Sequence, residues 1–336
     1  MRLELNRSMS AKMVAKRRFF VLCVLIAFGE PAIGAEPGKP ADHGIRQPAG
    51  FFVMQQVDHQ NVSDAKLNSP KLTGIVIRQR WSAVEPSANT YDWSFIDGQA
   101  ARAKRLGKKY ILAIYTGDND PAWLNVPLYL GAPYPWDATM LAEHGKMVEQ
   151  LGKHFATDPD LVGVEIGGPT RSPSGSLEMH LATGLTFQTG YSDTKMIATW
   201  KQCIDQYASA FPDCALISDG GVAPGGGRAT ITQAVFDYLF AKYRDRANFS
   251  HCALKANMPE TALHHVLVVN MGKRGGRIGF EMIGPSVGGT NGENGLVRRF
   301  GGNFAQALQI AARAHAKWLK IYQGDERNLP QKMPDG

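Results

Sequence analysis

The sequence predicts an α/β protein in which eight parallel strands and their crossovers close into a single (β/α)8 TIM barrel. Three observations predict it. Apolar runs of strand length alternate with segments of helical periodicity along most of the 336 residues. Those runs are hydrophobic almost without interruption, as strands covered on both faces must be. The position after the first strand reads VDHQNVSD, where an open doubly wound sheet usually carries a Gly-rich phosphate turn.

Taken in order, GFFVMQQVD (50–58) is the first strand, followed by a short irregular crossover, and LTGIVIRQR (72–80) is the second. A helix over 93–106 brings Phe95, Ile96, Ala100, Ala103 and Leu106 to one side at helical spacing. KKYILAIYTG (108–117) is the third strand, with a helix over 140–155 behind it. LVGVEIGG (161–168) is the fourth, and its helix over 195–211 carries Ile197, Trp200, Ile204, Tyr207 and Phe211. CALISDGG (214–221) and a helix over 231–243 come next, then FSHCALKAN (249–257) and a helix within ETALHHVLVVN (260–270). RIGFEMIG (277–284), the helix FAQALQIAARAHA (304–316) and the strand WLKIY (318–322) complete the set. The longest loops follow strands three, four and seven, on the carboxyl face where barrels carry their chemistry.

Residues 1–35 read as an export signal. Arg2, Arg7, Lys12, Lys16, Arg17 and Arg18 form a basic start. FFVLCVLIAFG from Phe19 is an apolar run too short to span a bilayer as an ordinary helix, and AIGAEP offers a cleavage site near Ala35. The expected location is secreted or periplasmic, with no stable membrane span after cleavage. Residues 36–49, rich in Pro, Gly and charge, read as a linker, and 50–336 as the barrel domain. The signal contains six Lys/Arg and two Asp/Glu, so its removal takes the formal charge from +7 to +3. That excess is too mild to argue for nucleic acid or an anionic membrane as partner. Cys23 leaves with the signal, and of Cys203, Cys214 and Cys252 at least one stays outside any intrachain disulfide. Cys214 and Cys252 are read either as a cross-strand disulfide or as buried thiols.

Two carboxylates stand out. After strand four the chain breaks at Gly-Gly-Pro, runs through a Ser/Pro/Gly loop and presents Glu178, while strand seven carries Glu281 near its end. Strands four and seven face each other across a barrel mouth, so glutamates there can flank a sugar. One would arrive protonated to donate to the leaving oxygen, and the other would be ionised on the opposite side of the ring. A charged residue inside an apolar strand needs a reason, which favours function for Glu281.

The segment GIVIRQRWSAVEPSANTYDWSFID (74–97) resembles the second strand and following helix of the retaining β-glycoside hydrolases with a (β/α)8 barrel and two catalytic glutamates. The likeness rests on Arg78, Trp81, Glu85, Pro86, Tyr91, Asp92, Trp93 and Asp97, and it continues through Pro121, Trp123 and Leu124. The resemblance implies a hydrolase that cleaves a β-glycosidic bond by double displacement with Glu281 as nucleophile; the signal makes it exported, and Glu178 is the acid/base candidate by its position after strand four. Its substrate would be an oligo- or polysaccharide, and it would need no cofactor and no metal. The pattern departs at strand four, where Gly168 and Pro169 stand in place of the family's Asn-Glu pair. A Gly-Pro followed by a loop glutamate also resembles the acid-bearing loop of β-amylase-like barrels, which invert. The alternatives are therefore an inverting glycosidase or a barrel that binds carbohydrate without cleaving it. A third class is a barrel lyase or isomerase, for which the sequence shows no evident metal or cofactor signature.

Around the two glutamates, Arg78 is expected to hold Glu281 ionised, or to form a barrel-filling ion pair. Trp81, Tyr115, Trp123, Trp136 and Tyr322 are candidate platforms for sugar faces. Asn257 and Asp325 either bind hydroxyls or cap turns. Glu165 reads as a structural carboxylate paired with Lys255, and as the reserve acid. Glu85 reads as structural. His264 and His265 are adjacent and point apart on a helix, and DND (118–120) lacks the other ligands of a calcium loop.

Overall fold

The computed structural model describes residues 44–55, 61–168, 184–220, 229–286 and 299–334. The expected signal at 1–35 and Glu178 lie outside them. Among the described residues, eight parallel strands close into the expected barrel. Around the ring they are β1 (Gly50–Met54), β2 (Gly74–Arg80), β3 (Lys109–Tyr115), β4 (Leu161–Glu165), β5 (Ala215–Asp219), β6 (Ala247–Leu254), β7 (Arg277–Met282) and β8 (Trp318–Ile321). β8 pairs back to β1 through Gly50 opposite Trp318.

The helices are α1 (Asp64–Leu67), α2 (Trp81–Val84), α3 (Ser94–Arg105), α4 (Ala138–Phe155), α5 (Asp193–Ala210), α6 (Ala229–Tyr243), α7 (Leu263–Lys273) and α8 (Phe304–Arg313). The irregular first crossover contains one turn, α1, started by Ser63 accepting the Lys66 N–H. The turn α2 directly after β2 was not evident in the periodicity, because four residues are too few to show a period. β6 begins at Ala247, two residues ahead of its expected start at 249. Elsewhere the pattern translates directly. β3 is buried at every residue after Lys109, as a strand between helices and barrel interior must be. α5 buries Met196, Trp200, Cys203, Ile204 and Tyr207 at spacings of three and four, and Ser192 caps it. α8 opens with a capping box between Asn303 and Gln306.

Residues 44–49 are not a free linker. The Arg46 backbone forms a parallel bridge with Cys214, and its guanidinium donates to the carbonyls of Ala156 and Asp158, each at 2.5 Å. Gln47 donates to the Asp245 carbonyl at 2.6 Å, and Arg277 donates to the Pro48 carbonyl at 2.8 Å. All these partners sit at the amino ends of strands, so this stretch crosses the barrel floor and belongs to the domain. Cys214 lies at the same floor and Cys252 near the far end of β6, so the two thiols occupy opposite ends of the barrel. Neither they nor Cys203 are in a disulfide. Among the described residues no helix is long and apolar enough to cross a membrane.

The barrel interior is layered. Phe52, Met54, Val76, Ile111, Ile217 and Trp318 form an apolar plug. Trp318 fits because Gly279 stands opposite it on β7, where a Cβ would overlap the indole. Above the plug the lining turns to charge. Gly279→Ala is therefore expected to lower the unfolding free energy by about 1–3 kcal/mol, the usual range for overpacking a filled core. A urea unfolding curve measures it, and an unchanged midpoint would show that the plug gives way freely.

Outside the strands, His144 on α4 is fully buried against Trp81 and Tyr207, with Nδ1 2.9 Å from Gln206 Oε1. Burial pushes its pKa down to about 4. The folded state thus refuses a proton that the unfolded chain accepts near its ordinary value. The associated stability is full above about pH 6.5 and is lost as pH falls toward 4, by on the order of 3 kcal/mol. Urea midpoints measured across that window should decline less steeply in His144→Gln than in the parent. Parallel declines would assign the acid sensitivity to other groups.

Candidate functional site

The carboxyl ends of β2, β4, β5, β7 and β8 converge on a layer of five buried charges: Arg78, Glu165, Asp219, Glu281 and Lys320. The alternation of each strand selects these residues. Lys320 lies two residues beyond Trp318 and Glu281 two beyond Gly279, so both point to the same interior as the plug. Lys320 and Glu281 are register partners across β8 and β7.

Lys320 is the hub. Its Nζ lies 2.8 Å from Glu165 Oε1, 3.0 Å from Asp219 Oδ2 and 2.8 Å from Glu281 Oε2. It also stands 5.7 Å from the ring centre of Trp318 beneath it. Burial works against this ammonium, but the Asp219, Glu165 and Glu281 carboxylates outweigh it and hold the pKa well above the usual lysine range. A lysine so held is a fixed cation and not a nucleophile.

Glu281 receives a second cation. Arg78 Nη2 donates to the same Oε2 at 2.5 Å, and the Arg78 guanidinium lies 5.8 Å from the Tyr115 ring centre. One oxygen of Glu281 is thereby held by two positive charges. The other, Oε1, accepts no hydrogen bond among the described residues. The expected pairing of Arg78 with Glu281 is present.

The layer contains three carboxylates and two cations, so full ionisation leaves one negative charge in excess. Glu165 takes up the imbalance. Burial pushes its pKa up to about 7, opposed by Lys320 and reinforced by Asp219. Burial also pushes Asp219 upward, but Lys320 outweighs it and Asp219 stays below the ordinary carboxylate range. Of two adjacent acids, one thus holds a proton near neutrality and the other is ionised.

The remaining sequence candidates separate. Tyr115 is buried, and that burial pushes its phenol far up. Tyr322 is half-buried just past β8, its phenol pushed up to about 12 by burial, with its hydroxyl 3.5 Å from the Ile283 carbonyl. Trp123 is half-buried and donates to the Glu85 carbonyl at 2.8 Å. Trp81 is not a platform. Its indole is fully buried, packs edge-on against Trp123 and His144, and donates to Glu85 Oε2 at 2.8 Å. Glu85 is structural as expected, also accepting the N–H of Asn89, a non-glycine residue at φ 58°. Trp136 packs with Tyr134 and Tyr191. Asn257 is exposed past β6, against the backbone of Gly301. Asp325 is fully buried and accepts the Ser286 backbone N–H at 3.1 Å and its hydroxyl, tying the chain after β8 to the chain after β7.

The partner of Glu165 is Lys320 and not Lys255, because Lys255 falls beyond the end of β6 while Lys320 rises through the barrel centre. Lys320 and Asp219 were missed in the sequence. The rule that singled out Glu281, a charge inside an apolar strand, applies equally to WLKIY and ALISD.

No protein-family model matches this sequence, and no curated protein is significantly similar to it. Solved structures do share its architecture. The catalytic domain of a β-amylase from Paenibacillus polymyxa matches with a TM-score of 0.58 at 10% identity, over 83% of this chain and 94% of that one. Xylanase 10B from Thermotoga maritima matches with a TM-score of 0.54 at 13% identity, over 82% of each chain. Xylanase 10C from Cellvibrio japonicus matches with 0.56 at 10% identity, over 86% of this chain and 67% of that one. The fold is therefore the eight-stranded parallel barrel found in glycoside hydrolases.

Removing the hub leaves three buried carboxylates with one cation. Lys320→Met is expected to cost about 3–5 kcal/mol of stability, the usual consequence of breaking a buried ion pair from one side. Urea unfolding near pH 7 tests this, and a cost below about 1 kcal/mol would mean that water or protonation replaces the ammonium.

Proposed function

We propose that the chain is an exported glycoside hydrolase that cleaves a β-glycosidic bond of an oligo- or polysaccharide by double displacement. Glu281 is the nucleophile and Glu178 the acid/base. The observation that carries this reading is the asymmetry of the Glu281 carboxylate. Its Oε2 is held by Arg78 and Lys320, and its Oε1 has no partner among the described residues. Two cations on Oε2 fix the plane of the carboxylate, which orients the remaining oxygen for attack.

In the first step Oε1 bonds to the anomeric carbon while the glycosidic C–O bond breaks and the Glu178 carboxyl gives its proton to the leaving oxygen. Esterification removes one negative charge from the buried layer. That loss lowers the cost of ionising nearby carboxyls and favours Glu178 acting next as base. Water then attacks the anomeric carbon, gives its proton to Glu178 and restores the Glu281 carboxylate. Neither step needs a cofactor. Half-buried Trp123 and Tyr322 are the aromatic surfaces that remain for the sugar.

A second reading is supported by the Gly-Gly-Pro break after β4 and by the likeness to a β-amylase catalytic domain. In it Glu281 is a general base that activates water, and the product inverts. Proton NMR of the first product separates the two, since a retained anomer supports the nucleophile and an inverted one the base.

Glu281→Ala is expected to lower hydrolysis by on the order of 10⁴-fold while sugar binding, followed calorimetrically, persists. Glu178→Gln should depress kcat strongly for substrates with poor leaving groups and weakly for activated aryl glycosides. The same pattern in Glu165→Gln with none in Glu178→Gln would transfer the acid role to strand four. A parent protein that binds glycans but releases no sugar from a broad panel would establish a binding barrel instead.

A further inference from the structure

β6 carries a fault in its pairing beside the buried charge layer. His251 stands opposite Phe280 and Leu254 opposite Met282, so two residues, Cys252 and Ala253, face the single residue Glu281. Such a bulge re-aims the side chain it carries, and bulges concentrate at functional rims. Alternation after His251 points Cys252 inward, and its sulfur lies beside the Asp219 and Glu281 carboxylates. Cys252 is partly exposed, so solvent reaches this part of the pocket.

A carboxylate oxygen of Asp219, the sulfur of Cys252 and a carboxylate oxygen of Glu281 all lie within 4.8 Å of one another. The donors of a tetrahedral zinc site with ordinary Zn–O and Zn–S bonds stand about 3.3–3.8 Å apart, so rotamer shifts of about an ångström close the set. The cations already present use only one side of each acid. Lys320 takes Oδ2 of Asp219, and Lys320 with Arg78 takes Oε2 of Glu281. Asp219 is 3% exposed; the Ser250 hydroxyl and the Cys252 thiol join Lys320 in favouring its ionised form, while its Oδ1 makes no hydrogen bond of good geometry. A buried carboxylate oxygen whose nearest donors are weak or poorly aligned is better satisfied when a cation coordinates it.

We propose that Asp219, Cys252 and Glu281 form a binding site for one thiophilic divalent cation such as Zn²⁺ or Cd²⁺. One sulfur and two carboxylate oxygens suit a borderline or soft ion and not Mg²⁺, which demands near-octahedral oxygen. Binding forms a metal–sulfur bond and two metal–oxygen bonds and releases the Cys252 thiol proton to solvent. Affinity therefore rises with pH while the thiol is protonated. The site rests on pocket geometry and not on the hydrolase reading. Should both hold, the ion and a sugar compete for Glu281.

The test is titration of the full chain with Cd²⁺ alone, followed by near-ultraviolet thiolate-to-cadmium absorption and by calorimetry. One Cd²⁺ per chain should bind with that absorption, Zn²⁺ should displace it and Mg²⁺ should not. Cys252→Ser should abolish the absorption and weaken binding by more than the roughly 10–100-fold that loss of an outer-shell partner costs. Cys23→Ser, Cys203→Ser and Cys214→Ser should each retain it. Absorption that survives in Cys252→Ser, or a parent protein without it, overturns the proposal. Because the readout needs no activity, a protein that fails to hydrolyse any glycan leaves this result intact, and the reverse also holds.

Discussion

The contact on which the rest of this barrel depends is that of the Lys320 ammonium with three carboxylates. An unpaired charge in a filled barrel would cost several kcal/mol or more, so each member of the layer is tolerable only in company. Lys320 reaches Glu165, Asp219 and Glu281 from strands four, five and seven, at 2.8, 3.0 and 2.8 Å. That reach depends on the Trp318 plug, which sets the height of β8, and on Gly279, which admits the indole. An apolar packing decision two residues below thus determines where the charges meet.

The same contact divides labour among the acids. Glu281 has two cations on one oxygen, and its other oxygen accepts no hydrogen bond among the described residues. Glu165 shares one of those cations with two other acids, and burial makes it the place where the spare proton resides. Side-chain type alone does not distinguish these glutamates. Environment does, through desolvation and through the distance to Lys320 and Arg78.

Much of the architecture was legible in the sequence, and the reason is visible in particular strands. KYILAIY and LVGVE are buried on both faces, so their apolar runs mark them without ambiguity. Glu281 and Arg78 could be read for the complementary reason that charge interrupts such runs. Trp81 could not be read correctly. A tryptophan just past a strand looks the same whether it faces a sugar or packs under α4, and only the positions of His144 and Glu85 decide. The Glu165 partner was misassigned because strand register around a ring brings together residues 155 apart, which no local pattern encodes. The short turns α1 and α2 escaped because a single turn has no period.

The strap at residues 44–49 has a practical consequence for where this barrel can be cut. A polypeptide trimmed to Gly50, the first residue of the first strand, would lose the donors that Arg46 and Gln47 supply to the carbonyls of Ala156, Asp158 and Asp245. It would also leave the Asp213 carbonyl and the Ala215 N–H without the Arg46 backbone partners they have at 2.9 Å each. The smallest self-sufficient version of the domain therefore starts ahead of its sheet and keeps Arg46 and Gln47.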